Sequence, residues 1–278
     1  MGLLTTKIKS ILDYYIDFNF HVSLCAISYI LLIYNQTKLS FVITDHIVLD
    51  ILFVLTATHF AYNFIKYYEL IVSKNKPIHD FSITFFLPAL ISFFILIYIF
   101  FVFTFTKQVL VVCITFFTVA YTIPFYKKYN LRSYPIIKIL TISISWTLSI
   151  VVLPFYEILD SFQLIYYSVI IFLMVTAQMV PFEIRDARLD AHYVKNSVNI
   201  YGLKTIKIVG YILLLSILVF QIINIQINNS FELHFSSLII LIIMTVLIRK
   251  STDNQSKYFS SLVVESIPVY WLIMDLVL

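Results

Sequence analysis

Glycine is nearly absent from this chain, with three residues in 278, and there are only seven prolines. Hairpins lean on the left-handed backbone that glycine supplies, so strands joined by tight turns have little support. The period-two alternation of a membrane barrel is missing as well. Charge is equally scarce: 12% of residues are charged against 61% hydrophobic, with a mean hydropathy of +0.95. That excludes a surface made for water. Cysteine is limited to Cys25 and Cys113. Both fall in apolar runs, where they read as small apolar residues, and no disulfide framework is implied. A cleavable signal peptide is not expected, because the first apolar run lacks small residues at a cleavage site, and Met1-Gly2 with Thr6 matches a myristoylation signal only at chance level.

What the chain does have is long apolar runs. Nine are expected to be helices of an integral membrane bundle: Phe20 to Tyr34, Ile47 to Phe64, Thr84 to Thr106, Val109 to Thr122, Ile136 to Leu153, Phe162 to Val180, Ile206 to Ile225, Phe235 to Ile248 and Phe259 to Leu278. Several reach the roughly 20 residues a helix needs to cross the hydrocarbon; the first, fourth and eighth are short. Residues 1–18 mix apolar Ile8, Ile11, Leu12, Tyr15 and Ile16 with Lys7, Lys9, Asp13 and Asp17, a pattern suited to an interfacial lead-in helix. The whole of 1–278 reads as one helical membrane domain. With these spans, 17 of the 19 lysines and arginines fall in loops on one side, and only Lys38 and Lys107 on the other. The positive-inside rule then places the N terminus in the cytoplasm and the C terminus outside, as in a bacterial inner membrane.

Two polar clusters sit at the cytoplasmic ends of the second and sixth runs. In Pro181 to Asp190 (PFEIRDARLD), a helical advance of about 100° per residue puts Glu183, Asp186 and Asp190 on one stripe and Arg185 and Arg188 on another. Pairs at helical-neighbour spacing there are like-signed, which costs a few tenths of a kcal/mol each, roughly 0.2 to 0.5. A solvated helix end could absorb that; the functional alternative is that the acids hold a divalent cation such as Mg²⁺. In Thr56 to Leu70, His59, Asn63 and Lys66 recur at i, i+4 and i+7 and share a face, either hydrogen-bonded to neighbouring helices or lining a wet cavity. A third segment, Tyr121 to Lys138, carries Lys127, Lys128, Arg132 and Lys138 with no acid. These cations either meet lipid headgroups or, with Arg185, make an anion site. Glu265, one to two turns inside the ninth run, faces either a helix partner or a cavity.

These same residues resemble the UbiA-type intramembrane prenyltransferases: nine helices, a DxxxD at Asp186 and Asp190 after the sixth, and a Tyr-x-x-Pro at Tyr121 to Pro124 after the fourth. The resemblance implies an all-α bundle around a central cavity that opens between the second and sixth helices. It implies Mg²⁺ held by aspartate-rich motifs, a prenyl diphosphate as donor and a hydrophobic acceptor, aromatic or lipid. Asp186 and Asp190 would be the catalytic pair and, with Glu183, the metal ligands. His59, Asn63, Lys66, Lys127, Lys128, Arg132, Lys138 and Arg185 would bind substrate. Membrane lipid is an expected neighbour; nucleic acid is not an expected partner.

The first motif departs from the family pattern NDxxDxxxD. With its Asn on Asn63, the aspartate positions hold Phe64, Tyr67 and Ile71. One metal site is then lost, Lys66 stands in for a cation, and a single Mg²⁺ remains. The other reading is a degenerate relative that binds an isoprenoid or other lipid without turnover. A transporter fits less well, because both clusters sit at one membrane face.

Overall fold

A computed structural model describes residues 2–37, 45–73, 83–125, 129–188, 196–228 and 235–278. The helices are α1 (Gly2–Asp17), α2 (Phe20–Gln36), α3 (Asp45–Tyr68), α4 (Ile83–Val102), α5 (Phe105–Thr122), α6 (Pro135–Thr147), α7 (Ser161–Asp186), α8 (Ser197–Tyr201), α9 (Leu203–Asn228), α10 (Phe235–Lys250) and α11 (Ile267–Val277). Wider π turns extend α3 through Glu69–Ser73 and α6 through Leu148–Val152, and another, Phe259–Val264, leads into α11. Each of the nine apolar runs lies largely in one of these helices. Among the described residues, six helices are long and apolar enough to cross a membrane alone, and α1 with α2 makes a seventh if that bent pair is one span. The count of nine crossing helices is therefore an expectation, while the helical membrane bundle is observed.

The helices close into a ring. Apart from the short α8, each packs on the next in sequence, α7 on α9, and α11 returns to pack on α2. Exposed side chains such as Phe101, Phe105, Phe116, Ile212 and Ile242 cover the outside, as a lipid-facing wall requires. The core between helices is filled by residues such as Tyr29, Ile33, Phe155, Met174 and Trp271. Both internal glycines have a use. Gly202, at φ 85°, turns the corner from α8 into α9. Gly210 lets α9 approach closely, since a Cβ there would come within 2.9 Å of Ile248 Cδ1 and 3.3 Å of Val180 Cγ2.

The joint between α1 and α2 bends by 67° at Asn19, which adopts the left-handed conformation that asparagine tolerates better than most residues. A latch holds α1 in place: Lys257 Nζ lies 2.5 Å from Asp13 Oδ1, and the Tyr258 hydroxyl donates to the same oxygen at 2.6 Å. Hydrogen bonds from Lys257 and then Tyr258 hold the Asp13 carboxyl below its ordinary pKa, and the bond to Asp13 raises that of Lys257. At the far end of the ring, Lys107 Nζ makes a buried ion pair with Asp50, at 2.6 and 2.8 Å to its two oxygens. One of the two cations expected outside is thus committed to structure.

Candidate functional site

A cavity of about 460 Å³ lies inside the ring, lined by α2, α3, α5, α6, α7 and the chain around the start of α11, and extended by the ends of α1 and the 129–134 loop. Its lining is graded. One end carries charge: Lys66, Glu69, Arg132, Lys138, Arg185 and Asp186. Beneath them run apolar side chains, including Phe117, Ile142, Ile150, Val175, Met179 and Phe182, interrupted by Tyr62, Tyr121 and Trp146. Tyr62 and Trp146 line the same wall, each with a polar atom on an aromatic ring. Glu265 lines the cavity too, which answers the alternative left open by its sequence position.

The sequence places the charged end by three separate devices. The helix-breaking Tyr121-to-Pro124 turn ends α5, and a capping box between Asn130 and Ser133 shapes the loop that presents Arg132. Asn130 Nδ2 also donates to Thr122 O at 2.8 Å, tying that loop back to α5. Pro135 starts α6 at a position that suits it, and Lys138 follows one turn later. On α3 the cavity face is the 58, 62, 65, 69 stripe, which the π turn at Glu69–Ser73 ends. Glu69 therefore points into the cavity, where its Oε2 accepts from Arg132 Nη1 at 2.7 Å.

The His59, Asn63, Lys66 face is real, but what it faces differs from the expected cavity wall. His59 is buried, with Nδ1 2.9 Å from Ser92 Oγ and its ring stacked on Phe20. Asn63, 1% exposed, donates to Phe18 O and His59 O and accepts from Asn19 Nδ2 at 3.1 Å. Both residues seat the left-handed corner between α1 and α2. Lys66, at the edge of that face, lines the cavity and donates to Asp17 O at 2.6 Å.

The acid stripe is also rearranged. Glu183 is fully buried and makes an ion pair with Lys138 at 2.7 Å, while its other oxygen accepts from Ser197 N at 3.2 Å. It joins α6, α7 and α8 instead of lining the cavity. Asp186 does line it, at 22% side-chain exposure, but its Oδ1 accepts from Arg185 Nε at 2.7 Å. The helical wheel had set those two apart; a long guanidinium reaches back along the helix end. Arg185 Nη1 also donates to Ser261 Oγ at 3.1 Å. Arg188 donates to Asn254 Oδ1 across the surface. Asp190, Lys127 and Lys128 lie outside the described residues.

A Mg²⁺ ion needs several oxygen ligands able to turn toward it. Among the described residues no three His, Cys, Asp or Glu side chains converge as a metal site, and the expected ligands Glu183 and Asp186 are engaged by Lys138 and Arg185. The described donors do not fit a Mg²⁺ cage. They fit an anion better: four cations of the mouth can each offer N–H donors to phosphate oxygens.

No protein-family model matches the chain, and no curated protein matches its sequence. Its architecture does find counterparts. A UbiA homologue from Aeropyrum pernix K1, in the apo state, aligns with a TM-score of 0.65 at 10% identity, over 92% of this chain and 97% of its own. A UbiA homologue from Archaeoglobus fulgidus bound to GPP and Mg²⁺ gives 0.60 at 11% identity, over 93% and 98%. A digeranylgeranylglyceryl phosphate synthase gives 0.62 at 14% identity, over 98% and 100%. With so little sequence in common, what is shared is the path of the backbone, and it is shared from end to end: the chain is an integral, multi-pass membrane protein with the UbiA-type fold.

Proposed function

We propose that the protein is an intramembrane prenyltransferase that moves an isoprenoid chain from a prenyl diphosphate to a hydrophobic acceptor. The observation that carries this reading is the grading of one cavity, with Lys66, Arg132, Lys138 and Arg185 at its mouth and an apolar, aromatic wall beneath. A diphosphate suits the first and an isoprenoid tail the second. With the orientation expected from the basic loops, this mouth would open to the cytoplasm, where the donor would enter.

The chemistry follows from the lining. When the allylic C–O bond breaks, its electron pair leaves with the diphosphate, and cations preorganised at the mouth stabilise that developing charge. The allylic cation left behind sits against Tyr62, Tyr121 and Trp146, whose ring faces attract a cation without trapping it. Attack by the acceptor completes the transfer. Asp186 and Asp190, with Lys127 and Lys128 from the loop after α5, are proposed to complete the headgroup site.

The test is turnover by the purified full chain with geranylgeranyl diphosphate, followed as release of inorganic diphosphate with and without Mg²⁺. Arg185→Gln should lower donor affinity by about 10-fold or more, the worth of one or two charge-assisted hydrogen bonds. Unchanged affinity in that variant would remove the headgroup from this mouth.

The second reading, an isoprenoid binder without turnover, has its own support. Each described acid at the mouth is paired with an arginine, and Phe64, Tyr67 and Ile71 occupy the aspartate positions of the first motif. Lipid extraction and mass spectrometry of the purified protein separate the two: a binder retains one stoichiometric isoprenoid, and an enzyme releases product.

A further inference from the structure

Glu69 and Asp186, the acids at the cavity mouth, are each tied to an arginine. Glu265 lines the same cavity, and its carboxylate has no hydrogen-bond or ion-pair partner among the described residues. An acid left unengaged inside a membrane protein is costly, so its position calls for a use. That position is built by several residues. Pro268 has no N–H to give the carbonyl four residues earlier, that of Val264, and its ring crowds that carbonyl. Gln178 Nε2 donates to Val264 O instead, at 3.1 Å, while Gln178 Oε1 accepts from the Tyr29 hydroxyl at 2.8 Å. The preceding chain runs as a π turn, with Glu265 N donating to Ser260 O five residues back. Single π turns of this kind recur at functional sites. Here the turn brings Ser261 and Glu265 to the cavity together.

We propose that Glu265 is the acceptor-side catalytic residue, an inference that rests on the transferase reading above. Its carboxylate accepts a hydrogen bond from the hydroxyl of a phenol or alcohol acceptor. As the allylic C–O bond breaks and its electron pair leaves with the diphosphate, a bond forms from the acceptor oxygen to the allylic carbon. The hydroxyl proton passes to Glu265. Among the described residues, the titratable and charged groups within electrostatic reach of that carboxylate are Arg185, Tyr62, Cys25 and Tyr15.

The experiment uses the full chain in nanodiscs, geranylgeranyl diphosphate as donor, and 4-methylphenol and glycerol phosphate as acceptor probes. Glu265→Gln should keep donor affinity within about 2-fold, lose about 100-fold or more of transfer, and lose the rise in rate that accompanies carboxylate ionisation; Glu265→Asp should recover part of the rate. Transfer by Glu265→Gln within about 3-fold of the parent with an unchanged pH profile, or a parallel loss of donor affinity, would overturn the assignment. A parent protein that binds donor but transfers to neither probe defeats the transferase reading itself, and the inference falls with it. Should Glu265→Gln fail to fold, dicyclohexylcarbodiimide labelling of the parent decides. Modification of Glu265 that geranylgeranyl diphosphate blocks is expected, and an unlabelled Glu265 overturns the assignment.

Discussion

Removing one partner of the Lys138–Glu183 pair leaves a charge where water cannot reach it. Breaking such a buried pair costs about 3–5 kcal/mol, whereas replacing both ions with apolar groups of similar volume is often neutral or better. Glu183→Gln and Lys138→Met should therefore each lower thermal stability sharply, and the double variant Lys138→Met, Glu183→Leu should recover most of it, as read by unfolding in detergent. Recovery of stability without recovery of donor affinity would fit a Lys138 that both pairs with Glu183 and borders the cavity. At this scale the sequence was partly legible. The residues of the charged end were visible as clusters, because charge stands out in an apolar chain. Their pairing was not. Lys138 and Glu183 are far apart in sequence, and no periodicity connects residues on different helices. Glu69 was not among the candidates, because the shared face of His59, Asn63 and Lys66 drew the eye to one side of α3, whereas its cavity face is centred on Tyr62 and Ile65.

Among the elements, α1 is held in part by charge, through Asp13 to Lys257 and Tyr258. In the folded state Asp13 is held below its ordinary pKa of 3.8, so its contribution is present above that value and lost as pH falls through the lowered one. Lys257 is raised from 10.5, so its contribution is present below that value and lost as pH rises through the raised one. The latch is complete across the neutral range. Acid should loosen α1, seen as faster pepsin cleavage within residues 2–17 than in the rest of the chain, and Asp13→Asn should flatten that acid dependence. Equal acid sensitivity in the variant would place the hold elsewhere. Apart from the amphipathic α1, the apolar runs foretold the long helices of the described residues, because a long apolar run has few alternatives in lipid. The 67° corner at Asn19 was less visible. A left-handed asparagine is set by tertiary contacts, here Asn63 and Lys66, which single-sequence periodicity does not register.

Across the whole molecule, the ring of helices places charge from α3, α6 and α7 and the loop before α6 around one end of an aromatic chamber. The chain has only two tryptophans, Trp146 in the chamber wall and Trp271 buried against Tyr29. That arrangement supplies a direct probe. Geranylgeranyl diphosphate added to the full chain in nanodiscs should change tryptophan emission saturably, and the change should vanish in Trp146→Phe. Geranylgeraniol, lacking the headgroup, should bind at least about 10-fold more weakly, since it forgoes the charge-assisted hydrogen bonds of the mouth. An emission that does not respond to the diphosphate, or responds equally to diphosphate and alcohol, would contradict a chamber that grips a prenyl diphosphate by its head.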